Sequence, residues 1–225
     1  MVTSFSKHSL TVAGVAAVVG ITSFVGVGSA QAAIINGDFS SGFSGWSTLG
    51  DTDATSGAAV LNTLGADLAD IESFLGLPTG ALAGISGTNP TNGSAIKQSF
   101  FANAGTTISF DWFFQAGDYL PFNDFAFYSL VPTGGANLLS NVAAVGDFGN
   151  SGQQSLSFLI PTTGNYTLGF GVLNALDFGL NSSLTIDNVN TTAVPTPALL
   201  PGLLGMGVAA LRKRKGEATE EASEA

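Results

Sequence analysis

Apolar and polar residues alternate with a period of two in several short runs along the middle of the chain. The alternation is clearest in residues 95–100 (AIKQSF), 106–114 (TTISFDWFF) and 124–130 (DFAFYSL), the last of which places Phe125 and Phe127 on one face. Further runs of this kind occupy residues 34–39, 156–160, 166–172 and 184–189. Such alternation, bounded by glycine, asparagine and proline, is typical of β-strands, and its regular spacing indicates an all-β sandwich.

Two segments between these runs predict other local structures. Apolar residues recur at intervals of four, three and four at Leu64, Leu68, Ile71 and Leu75, with acidic residues between them. This spacing predicts a short amphipathic helix over residues 66–75, ended by Gly76 and packed against the sandwich. Residues 161–165 (PTTGN) carry turn-forming types and predict a hairpin between the strands on either side.

The amino-terminal end has the order of a secretory signal. Lys7 and His8 precede an apolar stretch at residues 10–27, and the small residues Ala30 and Ala32 then form an A-x-A site. We therefore expect cleavage after Ala32 and export of the rest of the chain. An uncleaved membrane helix is the alternative.

The carboxy-terminal end has a different pattern. An apolar run at residues 198–211 contains Pro201 and follows two further prolines, and it stops at a basic cluster. The run is shorter than the roughly 20 apolar residues that a permanent membrane span needs. The cluster is expected to stay cytoplasmic and stall the chain at the inner membrane; its residues are Arg212, Lys213, Arg214 and Lys215.

This arrangement resembles the PTPA variant of the PEP-CTERM sorting signals of exported bacterial proteins. The resemblance is carried by the sorting motif Pro195, Thr196, Pro197 and Ala198, the apolar run after it and the basic cluster, in that order. It implies processing by an exosortase-type enzyme after transient inner-membrane anchoring, and a final place on the cell surface or in the extracellular matrix. The acidic tail at residues 217–225 departs from the shortest tails of this kind.

The region between the two ends also resembles known domains. Residues 36–47 (NGDFSSGFSGWS) are similar to the opening of jelly-roll carbohydrate-binding domains, and residues 184–189 (LTIDNV) to their closing strand. The resemblance implies a jelly-roll-like antiparallel β-sandwich with one short helix. The predicted organisation is a signal peptide at 1–32, the sandwich at 33–192, and a sorting signal with its hydrophobic helix at 193–225.

Composition narrows the chemistry that the sandwich can perform. Residues 33–192 contain one lysine, Lys97, against twelve acidic residues, which is a net charge of −11. Such a surface repels nucleic acid and anionic lipid, because both are bound through basic residues. The same region has no cysteine, histidine or arginine, which excludes His-dependent triads, thiolate chemistry and His-ligated zinc.

Carboxylates remain as candidates for catalysis or for metal binding. Paired carboxylates can hydrolyse glycosides, and the candidates are Asp111, Asp118, Asp124, Asp147, Asp177 and Asp187. Most of them fall at strand ends or in turns, where aspartate is favoured for its hydrogen bonds to the main chain, so we expect a non-catalytic protein.

The resemblance to jelly-roll domains also implies a calcium ion that ties the first strand to the last. Asp187 matches the closing-strand ligand, whereas Ser40 stands where the opening strand usually has a carboxylate, and Asp38 could replace it. The sequence favours a metal-free clasp without a cofactor, in which Asp187 is joined to the opening strand by direct hydrogen bonds. Gly37 is predicted to allow a close main-chain approach there.

Aromatic residues give the prediction about a sugar ligand. Trp46 is predicted to lie in the core, whereas Tyr119, in a glycine- and proline-containing loop, is the candidate to stack on a sugar ring. The sequence therefore favours a non-catalytic surface or extracellular-matrix protein. The alternative is a carbohydrate-binding module for an extracellular polysaccharide.

Overall fold

The computed structural model describes residues 33–193, which form eleven strands and three short helices. The helices are α1 Leu68–Leu75, α2 Ala81–Ser86 and α3 Val142–Val145. The strands are β1 Ser47–Leu49, β2 Thr52–Asp53, β3 Ala59–Asn62, β4 Ala66–Asp67, β5 Pro90–Ala102, β6 Thr107–Gln115, β7 Phe125–Val131, β8 Gly135–Asn141, β9 Gln154–Leu159, β10 Gly164–Ala175 and β11 Ser183–Thr192.

These strands form two antiparallel sheets. Sheet A has the order β1-β5-β10-β7-β8, with β4 also paired to β5, and sheet B has the order β2-β3-β11-β6-β9. Every strand pairing within them is antiparallel. The predicted jelly-roll-like antiparallel β-sandwich is therefore confirmed.

The main core lies between the two sheets and is rich in aromatic side chains. Phe110 of β6 and Phe170 of β10 meet edge to face across the sandwich, with ring centroids 4.8 Å apart. Trp46 packs against Phe170 and Phe39 and is only 7% exposed, which confirms its predicted place in the core. Edge-to-face and tilted pairs suit the quadrupoles of aromatic rings and add to the hydrophobic gain.

A smaller core covers the outer face of sheet A. Ile71 and Leu75 of α1 and Leu82 of α2 are buried there against Phe125 and Phe127, which share one face of β7 as predicted. Helix α1 ends at Gly76 as expected, but it starts at Leu68, because Ala66 and Asp67 pair with β5.

Two local predictions are wrong. Residues 34–39 form turns instead of a strand, since Asn36 and Phe39 have left-handed φ angles of 51° and 50°. The amide of Asn36 donates to Gly42 O and Ser44 O and accepts from Ser41 N, so it supplies hydrogen bonds that a partner strand would otherwise give.

Residues 161–165 do not close a hairpin. Strand β9 pairs with β6 in sheet B, whereas β10 pairs with β5 and β7 in sheet A, so the connection crosses between the sheets. Alternation of apolar and polar residues marks a strand but carries no information about which sheet it joins.

Several predictions fall on residues outside 33–193. These are the signal peptide with its site at Ala30 and Ala32, the sorting motif at 195–198, the hydrophobic run and the basic cluster at 212–215. Within residues 33–193, no helix has the length and apolar character that a membrane span requires.

Candidate functional site

Three connections meet at one end of the sandwich, where β6, β10 and α3 finish and where β7, β9 and β11 begin. We call this surface the loop end and define it as residues 116–124, 146–153 and 176–182. Four of the six candidate carboxylates lie on it, namely Asp118, Asp124, Asp147 and Asp177. The fold thus brings together acidic residues that are far apart in sequence.

Each of these three connections presents an aromatic ring to solvent. Tyr119, Phe148 and Phe178 are 40%, 57% and 64% exposed, and we call them the aromatic rim. The rings of Tyr119 and Phe148 lie 5.9 Å apart, and Phe122 supports Tyr119 from 5.5 Å in an edge-to-face contact. Exposed apolar side chains grouped in this way mark binding surfaces more often than scattered ones do.

The backbone of the loop end is strained at bulky residues. Phe148, Leu176 and Leu180 have left-handed φ angles of 55°, 76° and 49°. Each such conformation costs a side-chain-bearing residue about 1–3 kcal/mol, and it persists only where the surroundings enforce it. Strain and exposed apolar side chains therefore coincide on one surface, as expected of a functional site.

Hydrogen bonds between the loops hold this conformation. Phe148 N donates to Asp118 O at 2.9 Å, and Leu120 N donates to the Asp147 carboxylate at 3.0 Å. Gly117 N donates to Ser182 Oγ at 2.9 Å, and a Cβ on Gly117 would lie 2.0 Å from a main-chain oxygen of the facing loop. The rim is therefore pre-organised by contacts that do not need a ligand.

Asp124 is the buried residue on which two of these loops converge. Its carboxylate accepts from Ala175 N at 3.0 Å and from Ser182 Oγ at 2.7 Å, which fixes both ends of the 176–182 loop. Burial raises the pKa of Asp124 to about 7, although the two hydrogen bonds oppose the rise and the charges of Asp118 and Asp177 add to it. At neutral pH this carboxyl is therefore near its titration midpoint.

Asp118 is also fully buried. One carboxylate oxygen accepts from Tyr119 N at 2.7 Å, and the other has no hydrogen-bond partner within the described residues. Burial raises the pKa of Asp118, the bond from Tyr119 N opposes this, and the Asp177 charge adds to it. Among residues 33–193, the loop end has no basic residue to neutralise these groups.

The remaining candidate carboxylates lie side by side on the outer face of sheet B. Asp111 of β6 and Asp187 of β11 are cross-strand partners, and both are partly exposed. Hydrogen bonds from Ser155 Oγ and Asn188 Nδ2 lower the pKa of Asp111, while burial opposes the effect. This pair is thus separate from the loop end.

The predicted clasp between the opening segment and β11 exists, but it does not use Asp187. Val189 N donates to Gly37 O at 2.9 Å, and a Cβ on Gly37 would lie 1.9 Å from Val189 O, which confirms the predicted close approach. The Asp187 carboxylate accepts from its neighbour Asn188 N, and the exposed Asp38 accepts from Ser40. The prediction that the Asp187 carboxylate is joined by direct hydrogen bonds to the opening segment, residues 34–39, is therefore wrong.

The calcium site expected at Asp38 and Asp187 involves two acidic side chains. Within residues 33–193, no three acidic or histidine side chains are placed so that they could hold a metal ion together. The calcium site at Asp38 and Asp187 stays a prediction from resemblance.

Two open grooves lie elsewhere on the domain. One, of about 230 Å³, lies between the sheet edges over the stacked rings of Tyr128 and Phe158, and burial raises the pKa of Tyr128. The other, of about 440 Å³, is lined by the opening segment and the turn after β2 and includes Phe43. The rings in both grooves are partly buried, whereas the rings of the aromatic rim are exposed.

No protein-family model matches this chain, and no curated protein sequence matches it either. Solved structures with a similar fold include a cleaved adhesin domain of Lys-gingipain from Porphyromonas gingivalis, at 13% identity and a TM-score of 0.41, with 72% of this chain and 99% of that one covered. The amino-terminal cellulose-binding domain of β-1,4-glucanase C from Cellulomonas fimi is similar at 14% identity and a TM-score of 0.36, with 72% and 97% covered. A family 16 carbohydrate-binding module follows at 13% identity and a TM-score of 0.35, with 71% and 98% covered. At these identities the likeness concerns the fold alone.

The sequence analysis identified one member of the aromatic rim and missed two. The exposure predicted for Tyr119 is confirmed, and its role toward a ligand stays a prediction. Phe148 and Phe178 each lie in an Asp-Phe-Gly tripeptide between predicted strands, and this repeated tripeptide was the available signal. It is not sufficient by itself, because Phe39 also follows an aspartate in a turn and is fully buried.

Proposed function

We propose that residues 33–193 are a non-catalytic carbohydrate-binding module of an exported surface or extracellular-matrix protein, with the loop end as the binding surface. The observation that carries the proposal is the aromatic rim. Three rings from three separate connections are exposed on the loop end, and those of Tyr119 and Phe148 lie 5.9 Å apart. The backbone there is strained at Phe148 and held by hydrogen bonds between the loops.

The chemistry of the rim suits a sugar. A pyranose ring has apolar C–H faces that stack on aromatic rings, and its hydroxyl groups need acceptors around that stack. Carboxylates accept hydrogen bonds strongly, and Asp147 and Asp177 lie next to the rim phenylalanines in sequence. An apolar platform with a few polar groups beside it is the usual composition of a small-molecule site.

Other candidate carboxylates of the domain are poorly suited to hydrolysis. Glycosidases need an exposed acid and an exposed base on opposite sides of the scissile bond. Asp118 and Asp124 are fully buried, and both oxygens of Asp124 are engaged in hydrogen bonds. On sheet B, the lowered pKa of Asp111 disfavours the protonated form that a general acid must hold. These observations support a binding function.

The test is binding of the purified protein to neutral glucan, xylan and mannan, measured by affinity electrophoresis and calorimetry. Tyr119→Ala and Phe148→Ala should each weaken binding about tenfold, equivalent to ~1.4 kcal/mol. Leu138→Ala is the matched control, because Leu138 is 40% exposed on β8, away from the loop end. Retention on no glycan, or equal affinity of all three variants, would refute the proposal.

The cellular part of the proposal rests on the two ends of the sequence. A signal peptide cut after Ala32 and a Pro-rich motif before a basic cluster support export and processing by an exosortase-type enzyme. Mass spectrometry of the mature protein should show a chain that starts near Ala33 and ends before Leu211. Recovery of the basic cluster from the extracellular fraction would contradict the processing step.

A further inference from the structure

The charge of the loop end is uncompensated within the described part of the chain. Asp118, Asp124, Asp147 and Asp177 lie there together, and Lys97 is the one basic residue of the domain. Strand β5 begins beside the 176–182 loop, where Leu176 N donates to Asn89 O. Lys97 lies seven residues further along β5, which is about 23 Å at ~3.3 Å per residue. Its ammonium group contacts Phe74 O and lies 4.3 Å from the Phe74 ring centroid, on the side of sheet A covered by helix α1.

Two of these carboxylates directly precede phenylalanines of the aromatic rim in the sequence. Asp147 precedes Phe148, is exposed, and uses one oxygen to accept from Leu120 N. Asp177 precedes Phe178, is partly exposed, and uses one oxygen to accept from Gly179 N at 3.2 Å. The second oxygen of each has no hydrogen-bond partner among the described residues. Both side chains therefore combine a fixed position with a free acceptor and a negative charge.

We propose that Asp147 and Asp177 make the loop end selective for uncharged glycans and exclude glycans that carry carboxylate or sulfate groups. This inference rests on the proposed function and adds the class of ligand to it. A hydroxyl group brings a proton to a free carboxylate oxygen, whereas a uronic acid brings a second negative charge. Like charges placed together without a cation disfavour binding.

The expected discrimination follows from Coulomb repulsion near a protein surface. A ligand carboxylate within about 6 Å of one aspartate should bind at least roughly threefold more weakly than its neutral counterpart at low ionic strength, which is the value for a dielectric constant as high as that of water, about 80. The ratio of the dissociation constants of the charged and neutral ligands should fall towards one in 1 M salt, because the screening length falls to about 3 Å. Salt sensitivity thus separates charge exclusion from a steric effect.

The experiment compares two matched probes with the purified protein. The first is whichever β-1,4-linked glucan or mannan oligosaccharide binds, and the second is the same oligosaccharide with its primary hydroxyls oxidised to carboxylates. The readout is the ratio of the two dissociation constants at 20 mM and at 1 M salt. The wild type should prefer the neutral probe at least about threefold at low salt.

Substitution then assigns the preference to particular residues. Asp147→Asn and Asp177→Asn should each reduce the ratio, and the double variant should bring it near one. Asp70→Asn is the control, because it removes the same charge from an exposed position on helix α1 and should leave the ratio unchanged. The asparagine variants keep an acceptor for Leu120 N and Gly179 N, so the loops stay in place.

Each outcome decides between the two proposals. Equal binding of the neutral and oxidised probes by the wild type, with the rim variants still defective, would overturn the selectivity and leave the binding function intact. A reduction of the ratio by Asp70→Asn as large as that by Asp147→Asn would overturn the assignment to these residues. If neither probe binds, the proposed function itself is wrong and the inference fails with it.

Discussion

Asp124→Asn should make the domain more stable above neutral pH, although it removes a buried, fully hydrogen-bonded carboxylate. Asp124 is completely buried, and no basic residue of the described range lies at the loop end to compensate its charge. Burial raises its pKa to about 7. Asparagine has nearly the same shape, keeps an acceptor for Ala175 N and can donate to Ser182 Oγ, so the contacts survive without the charge.

The direction and size of the effect of Asp124 on the free energy of unfolding follow from the difference between its folded and unfolded pKa values. Because the folded-state pKa is the higher one, the folded protein holds a proton below about pH 7 that the unfolded chain has already lost. The carboxylate therefore destabilises the fold above pH 7, and this effect disappears as the pH falls towards 4. The shift from 3.8 to about 7 corresponds to at most about 4 kcal/mol, and we expect about 2 kcal/mol between pH 8 and pH 5.

The assay is urea unfolding of the full chain at pH 8, 7, 6 and 5. The wild type should gain stability as the pH falls, whereas Asp124→Asn should show a much flatter profile and be the more stable protein at pH 8. Asp70→Asn is the control, since it removes one charge from an exposed site and reports the general relief of repulsion in this acidic domain. Its pH profile should follow that of the wild type.

Two results would refute this reasoning. Parallel profiles for the wild type and Asp124→Asn would mean that Asp124 does not titrate in this range. A less stable Asp124→Asn at pH 8 would mean that the ionised hydrogen bonds outweigh the burial of the charge. The lowered pKa of Asp111 acts in the opposite direction, but its effect is confined to pH values below about 4 and lies outside the measured range.

Three further predictions concern stability. Gly37→Ala should lower the free energy of unfolding by about 1–3 kcal/mol, because its Cβ would lie 1.9 Å from a carbonyl oxygen of the closing strand; Gly164→Ala, with open space around it, should change stability little. Glu72→Gln should cost about 1–3 kcal/mol in the same assay, because the buried carboxylate accepts from two main-chain N–H groups at the start of α2 and an amide can accept only one of them. Calcium and chelator should give the same melting temperature, since no three acidic side chains of residues 33–193 are placed to hold a metal ion together; a chelator effect that vanishes in Asp187→Ala would contradict this.

The local pattern of apolar and polar residues was sufficient to predict most of the long strands and helix α1. Strand β6 shows why: every second residue from Ile108 to Phe114 is buried, and the sequence displays this alternation directly. Helix α1 was recognisable from Ile71 and Leu75, and its end from Gly76. These features depend on neighbouring residues alone, so a single sequence contains what is needed to predict them.

Local pattern failed where side chains or distant strands decide the conformation. The turns at 34–39 are set by the hydrogen bonds of the Asn36 amide, and the strands β1, β2 and β4 are two or three residues long and exist because β3 and β5 pair with them. Strand β8 was not predicted from the sequence, because its residues do not alternate between buried and exposed positions. Short edge strands carry little signal of their own, since their stability comes from the partner strand.

Residue pattern and composition alone were enough to predict the two-sheet class, the acidic and cation-poor character of the domain, and its lack of cysteine and histidine chemistry. The folded chain was needed to learn that Tyr119, Phe148 and Phe178 all lie exposed on the loop end and that Asp124 is buried there, because these residues are far apart in the sequence. Exposure and pKa depend on what surrounds a group in space. An aspartate in a turn has the same local sequence signal whether solvent or a protein core lies behind it.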